Sequence, residues 1–171
     1  ISINKSKITK TLKQNPFIKD VQIKKNFKFQ ITINVTEEKV VAYNLTNQSY
    51  LLSNGTYIND KNFLGVPQLN NYTPEDVLKN FAEELGKLDE DIIADISEIE
   101  YSPSKNETGE TIDSTRFKLK MKDGNTVYIN VKKCNVLSYY NQIYASLKDK
   151  KGVLNLDSGN YERYVLTLYE E

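Results

Sequence analysis

Asn15-Pro16-Phe17-Ile18-Lys19-Asp20-Val21-Gln22-Ile23-Lys24-Lys25 runs through Asn26-Phe27-Lys28-Phe29 into Ile31-Thr32-Ile33-Asn34-Val35-Thr36-Glu37-Glu38-Lys39-Val40-Val41-Ala42. Val21 and Ile23 flank polar Gln22, and Ile31, Ile33 and Val35 alternate with Thr32, Asn34 and Thr36. That is the period-two pattern of half-buried strands, so the stretch predicts two strands and a short connection. Upstream, Ile8, Leu12 and Asn15 fall on one face of a short helix. Pro16 predicts its end, because a proline pushes the preceding residue out of the α region. A helix and two strands bury too little to stand alone.

From Val40 the pattern continues without a Gly/Ser linker into a second region, giving boundaries of 1–39 and 40–171. Val40 to Leu45 and Ser49 to Leu52 are strand-like, and Asn54-Gly55 turns the chain into Thr56-Tyr57-Ile58. Phe63 to Leu69 is extended around Pro67 and is expected to cross the surface. Thr73-Pro74-Glu75-Asp76 starts a helix, with Thr73 as cap and two carboxylates at the positive end of the dipole. Val77, Leu78, Phe81, Leu85 and Leu88 form its apolar stripe. Ser102 to Thr115 reads as a polar loop. Phe117, Leu119 and Met121 alternate with Lys118, Lys120 and Lys122, Asp123-Gly124-Asn125 turns, and Val127, Ile129 and Val131 return. Val136, Tyr140, Ile143 and Leu147 mark a second amphipathic helix, with Gly152 as its left-handed cap. Gly152 to Asp157 and Tyr161 to Tyr169 are the last two strands, the final one turning Tyr164, Leu166 and Leu168 inward. The fold class expected is α+β, a helix and two strands continuous with a mixed sheet that carries two amphipathic helices.

Composition narrows the chemistry. Twenty-three basic and twenty-three acidic side chains cancel, so the overall field gives no reason to expect nucleic acid. Lys19, Lys24, Lys25 and Lys28 read as a solvated hairpin in preference to a contact with phospholipid headgroups. Absence of histidine removes the commonest general base and metal ligand. Cys134, the only cysteine, reads as a core-filling residue, since nothing in the sequence activates it. The carboxylate pairs Glu37/Glu38, Glu83/Glu84 and Asp89/Asp91 lie at termini or on solvated helix faces, not in a convergent site. No phosphate-binding or nucleophile motif is visible, and neither cofactor nor metal is expected. The seven Asn-x-Ser/Thr triplets follow from an Asn-rich composition. No stretch reaches the roughly eighteen apolar residues that span a bilayer, and the abrupt start at Ile1 leads us to expect a membrane anchor upstream.

The order of elements resembles a known family. The helix, Asn-Pro-Phe-Ile, strand, turn and strand ending in Val35-Thr36-Glu37-Glu38 look like the second half of a POTRA domain. With Gly65-Val66-Pro67-Gln68-Leu69, the hairpin, the second helix and Lys150-Lys151-Gly152-Val153-Leu154-Asn155-Leu156-Asp157, they resemble the extracytoplasmic region of the DivIB/FtsQ cell-division proteins. The resemblance implies a single-pass membrane protein at the division septum, anchored by a helix missing from this sequence and lacking the first POTRA strand and helix. It implies a non-enzymatic scaffold that binds DivIC (FtsB) and FtsL, and septal peptidoglycan synthases, helping to recruit or regulate septal peptidoglycan synthesis.

A physical route to such binding lies in the last strand. If Tyr161 to Tyr169 closes a sheet, its outer N–H and C=O groups can template a partner strand. Asp157, Ser158, Tyr161, Arg163, Tyr164 and Leu166 are the candidate partner-binding residues, Arg163 favouring an acidic partner. Against this stands an equally weighted reading in which the edge is covered by the chain's own tail or blunted by charge, with Tyr and Arg merely decorating the strand. Two other functions stay open: a POTRA-type peptide-binding chaperone or translocation module working at Val21 to Lys25, and a hydrolase built on Cys134 or a carboxylate pair.

Overall fold

Asn4 opens the first helix by accepting the Lys7 N–H on its side-chain oxygen at 2.9 Å, filling one of the bonds a helix start lacks. The computed structural model describes residues 3–59, 62–158 and 165–169. It falls into two compact units, Ile1–Lys39 and Val40–Glu171. In the first, α1 (Lys5–Leu12) packs on β1 (Ile18–Lys25), which pairs antiparallel with β2 (Ile31–Glu37), Val21 opposite Val35 and Ile23 opposite Ile33. The helix stops at Leu12, short of Pro16. Asn15 belongs to the following turn, where its side chain accepts the Phe17 N–H at 3.0 Å. Val21 is buried, but every residue of β2 is exposed, so the alternation in β2 does not mark a covered face within this unit.

Among the described residues, the second unit is built on a nine-stranded mixed sheet with helices against it. β3 (Val40–Asn44), β4 (Ser49–Leu52) and β5 (Tyr57–Ile58) form a meander. Its second turn is a three-residue loop in which Gly55 alone takes positive φ (+83°) and Asn54 Oδ1 accepts the Thr56 N–H. β6 (Gln68–Leu69) contradicts the expected surface crossing. It lies in the middle of the sheet, parallel to both β3 and β7 (Ile96–Tyr101), with Leu69 1% exposed. Pro67 has no N–H to leave unpaired, and its carbonyl accepts the Tyr43 N–H at 2.8 Å, so a proline beside a two-residue strand costs the sheet little.

α2 (Glu75–Gly86) buries Leu78, Phe81 and Leu85 of the expected stripe, together with Ala82, while Val77 is partly buried and Leu88 is buried just past the helix end. Thr73 does not cap it: Pro74 takes the cap position, without a side-chain bond, and the Thr73 hydroxyl is buried with no hydrogen-bond partner. A short α3 (Glu90–Ala94) adds Ile92 and Ile93 to the core. Phe81 stacks on Phe117 with ring centroids 3.8 Å apart, fixing α2 to the middle of the sheet. Truncation of such a ring costs about 3–5 kcal/mol.

The polar segment after Tyr101 is not a plain loop: β8 (Ser104–Lys105) and β9 (Thr111–Asp113) pair as a small hairpin. β10 (Arg116–Met121) and β11 (Thr126–Asn130) form the expected hairpin around Gly124, φ +95°. Its lysines are not merely solvated. Lys120 meets Glu98 at 2.9 Å and Lys118 meets Glu100 at 3.7 Å, across the β10–β7 ladder.

A 3-10 helix (Val131–Tyr139) then leads into α4 (Tyr140–Ser146), where one amphipathic helix was expected. Val131, Cys134 and Leu137 recur every third residue in the 3-10 helix, where three residues per turn keeps them on the core side, and Tyr140 and Ile143 continue the buried face in α4. β12 (Gly152–Asn155) returns parallel to β11, and β13 (Val165–Leu168) pairs antiparallel outside it. The sheet therefore reads β13-β12-β11-β10-β7-β6-β3-β4-β5.

Candidate partner-binding edge

β13 is one margin of the sheet, and β5, two residues long, is the other. Proteins blunt exposed edges by shortness, proline or charge. β5 uses shortness, whereas Val165-Leu166-Thr167-Leu168-Tyr169 contains neither a charge nor a proline. Val165, Leu168 and Tyr169 are 59%, 51% and 43% exposed, so among the described residues this margin is apolar and uncovered.

The phase of the edge follows from one bond. Tyr169 N–H donates to the Lys151 carbonyl at 3.2 Å, and Leu168 sits opposite Gly152. Inward and outward groups alternate along an antiparallel strand, so Val165 and Thr167 bond to β12 while Leu166 and Leu168 turn N–H and C=O to the open side. The neighbouring strand agrees: Gly152 N–H donates to Asn125 Oδ1 at 3.0 Å and Leu156 N–H to the Tyr128 carbonyl at 2.9 Å, both on the β11 side.

Two devices hold β13 in place. Gly152 lets it approach closely, since a Cβ there would stand 2.1 Å from the Thr167 carbonyl oxygen. Its φ is not positive, so Gly152 is not the expected left-handed cap. Lys148 (φ +49°) and Asp149 (φ +65°) take that conformation instead. At the far end, the Tyr169 hydroxyl and Thr126 Oγ1 lie 2.7 Å apart.

Asp157, at the exit from β12, accepts a hydrogen bond from Arg116 Nε at 2.7 Å, and both side chains are more than four-fifths buried. The Arg116 guanidinium lies 3.7 Å from the Tyr128 ring centroid. Asn130 Nδ2 donates to the Asp157 carbonyl at 3.2 Å and to Asp113 Oδ2 at 2.8 Å. Burial alone would raise the Asp113 carboxyl. Bonds from the Thr115 N–H, Asn130 and the Thr115 hydroxyl, with the Arg116 charge, outweigh it and hold the group below its ordinary value. Asp157 is thus committed to an internal pair at the exit from β12.

Of the other candidates, Ser158 is exposed beside it, and Leu166 is half-buried opposite Leu154, packing against the core. Tyr161, Arg163 and Tyr164 lie outside the described residues. Leu168 was expected to turn inward with Leu166. It stays half exposed because its cross-strand neighbour is Gly152, which has no side chain to cover it. The sequence reading missed Gly152 and Arg116: the glycine sat where a cap was plausible, and the Arg116–Asp157 pair spans forty-one residues with no local signal.

Cys134 is fully buried, and burial pushes its thiol up to about 12, with Glu84 adding to the shift, so it stays protonated. Among the described residues, no group of three or more His, Cys, Asp or Glu side chains converges as a metal site. No described helix is long and apolar enough to cross a membrane.

Comparison with known proteins bears on both units. The POTRA domain, FtsQ-type, matches residues 1–38. The cell division protein DivIB of Listeria monocytogenes is 31% identical over 169 residues, covering 94% of this chain and 60% of that protein. DivIB of Bacillus subtilis is 30% identical, covering 94% and 61%, and DivIB of Brevibacillus brevis 30%, covering 91% and 60%. The chain thus spans about three-fifths of the length of these relatives. The solved major extracytoplasmic domain of DivIB from Geobacillus stearothermophilus has a similar fold, with a TM-score of 0.51 at 24% identity, covering 66% of this chain and 96% of that one.

Proposed function

Because the chain belongs to the DivIB/FtsQ family of bacterial cell-division proteins, we propose that it is the extracytoplasmic part of a membrane-anchored, non-enzymatic division scaffold. It binds DivIC (FtsB) and FtsL at the septum and so helps recruit or regulate septal peptidoglycan synthesis. Residues 40–171 are the partner-binding β domain, and residues 1–39 are the second half of a POTRA domain.

The observation that carries this reading is the β13 margin, which no other described strand covers and where Leu166 and Leu168 direct backbone groups outward among exposed apolar side chains. A strand of DivIC added there gains main-chain bonds from the ladder and selectivity from alternate side chains. The competing peptide-holding function at β1 is less favoured, because Lys19, Lys24 and Lys25 put charge on that strand, as protected edges do.

Hydrogen exchange separates the two. Adding soluble DivIC ectodomain is expected to protect the Leu166 and Leu168 amides, which face outward in the free protein. Protection at Val21 to Lys25 instead, or protection nowhere, contradicts the proposal.

A further inference from the structure

The chain's balanced charge is unevenly shared. Residues 1–39 carry nine lysines against Asp20, Glu37 and Glu38, a net charge of +6, and residues 40–171 carry the compensating −6. Lys19, Lys24, Lys25 and Lys28 stand exposed on the β1–β2 hairpin. At its tip Phe27 and Phe29 are 88% and 76% exposed.

The tip is built to hold those rings out. Asn26 Oδ1 accepts the N–H of Lys28 at 2.9 Å and of Gln30 at 3.0 Å, and Asn26 Nδ2 donates to Gln30 Oε1 at 2.7 Å. Phe29 has a φ of +61°, a conformation that bulky residues rarely adopt and that glycine or asparagine would take more easily. Its ring stays largely exposed nonetheless. It lies beneath Lys25 Nζ, 5.0 Å from the centroid, as Phe27 lies 6.0 Å from Lys28 Nζ. An aromatic residue kept where it strains the backbone and left largely exposed points to a ligand outside the chain.

We propose that this tip docks on an anionic lipid bilayer, Phe27 and Phe29 entering the boundary between headgroups and acyl chains while the surrounding lysines face lipid phosphates. Two aromatic rings on a five-residue turn offer far less than the roughly 800 Å² per partner of a stable protein interface. Insertion into a bilayer needs no complementary pocket, and the +6 unit supplies the long-range attraction to an anionic surface. The lysines of the hairpin are thus a binding surface, more than a solvated face. The inference is independent of the β13 proposal, whose test contains no lipid.

The chain has no tryptophan, so Phe27→Trp introduces a single reporter at an exposed site. Its emission is expected to shift to the blue with vesicles of phosphatidylglycerol and phosphatidylcholine, and to stay unchanged with phosphatidylcholine alone. Raising salt should weaken the shift, since screening shortens to about 3 Å at 1 M. Phe29→Ser in the same background should lower vesicle affinity about tenfold or more. The proposal is overturned by an unshifted emission, by an equal shift on neutral vesicles, or by unchanged affinity on Phe29→Ser. A shift that appears only with soluble DivIC ectodomain also overturns it and assigns the tip to a protein contact.

Discussion

Gly152 has no side chain, and that absence controls whether the edge exists. Nothing larger fits, because the first carbon of any side chain would meet the Thr167 carbonyl. Gly152→Ala is therefore expected to lift β13 from β12 while β11 and β10 stay paired, at a cost of about 1–3 kcal/mol. Hydrogen exchange checks this: the Thr167 amide should lose protection and the Ile129 amide keep it. Equal protection of Thr167 in both proteins would contradict the account. Single residues were the least legible level of the sequence. Thr73 had the chemistry of a cap, yet Pro74 occupies the position and the hydroxyl goes unpaired. Gly152 had the position of a cap, yet Lys148 and Asp149 make the left-handed turn. Each depends on how the backbone is held by elements distant in sequence, which local pattern does not encode.

Elements were more legible where periodicity ran long. The β1–β2 and β10–β11 hairpins and α2 follow their alternating or helical stripes. Short or irregular elements were not: β6 has two residues, too few for any period, and is recognised as a strand only by the strands on either side. The three-residue spacing from Val131 to Ile143 was present in the sequence, but an i, i+3 series also fits the α-helical stripe expected there. The β7–β10 ladder makes stability sensitive to acid. A hydrogen bond from Lys120, opposed by partial desolvation and helped by Asn70 and the Lys118 charge, holds Glu98 below its ordinary 4.5. Asp113 is likewise held below 3.8. A carboxylate depressed in the folded state adds stability that is complete above its unfolded value and is lost as pH falls through the folded value. Urea unfolding from about pH 7 down to about pH 3 should show stability falling below the ordinary carboxylate range, with a shallower fall in Asp113→Asn. An identical pH profile in that variant would contradict the assignment.

At the scale of the whole molecule, the succession of weak motifs was the strongest signal. No single one of Asn15-Pro16-Phe17-Ile18, Val66-Pro67-Gln68-Leu69 or Gly152-Val153-Leu154 identifies a family, but their order along the chain matched one, and members of that family are about 30% identical over most of this length. The open margin was foreseeable only in outline. That the last strand ends the sheet depends on β12 lying parallel to β11, a crossover set by the packing of the 3-10 helix and α4. The central claim is that this margin accepts a strand from DivIC, and a calorimetric titration with soluble DivIC ectodomain tests it most directly. The comparison is with Leu168→Pro, which removes an outward N–H and leaves the bonds to β12 in place. Wild type should bind, and the variant, shown to be folded, should bind about tenfold or more weakly, a difference of about 1.4 kcal/mol or more. No heat from the wild type, or equal affinity in the two, would contradict the claim.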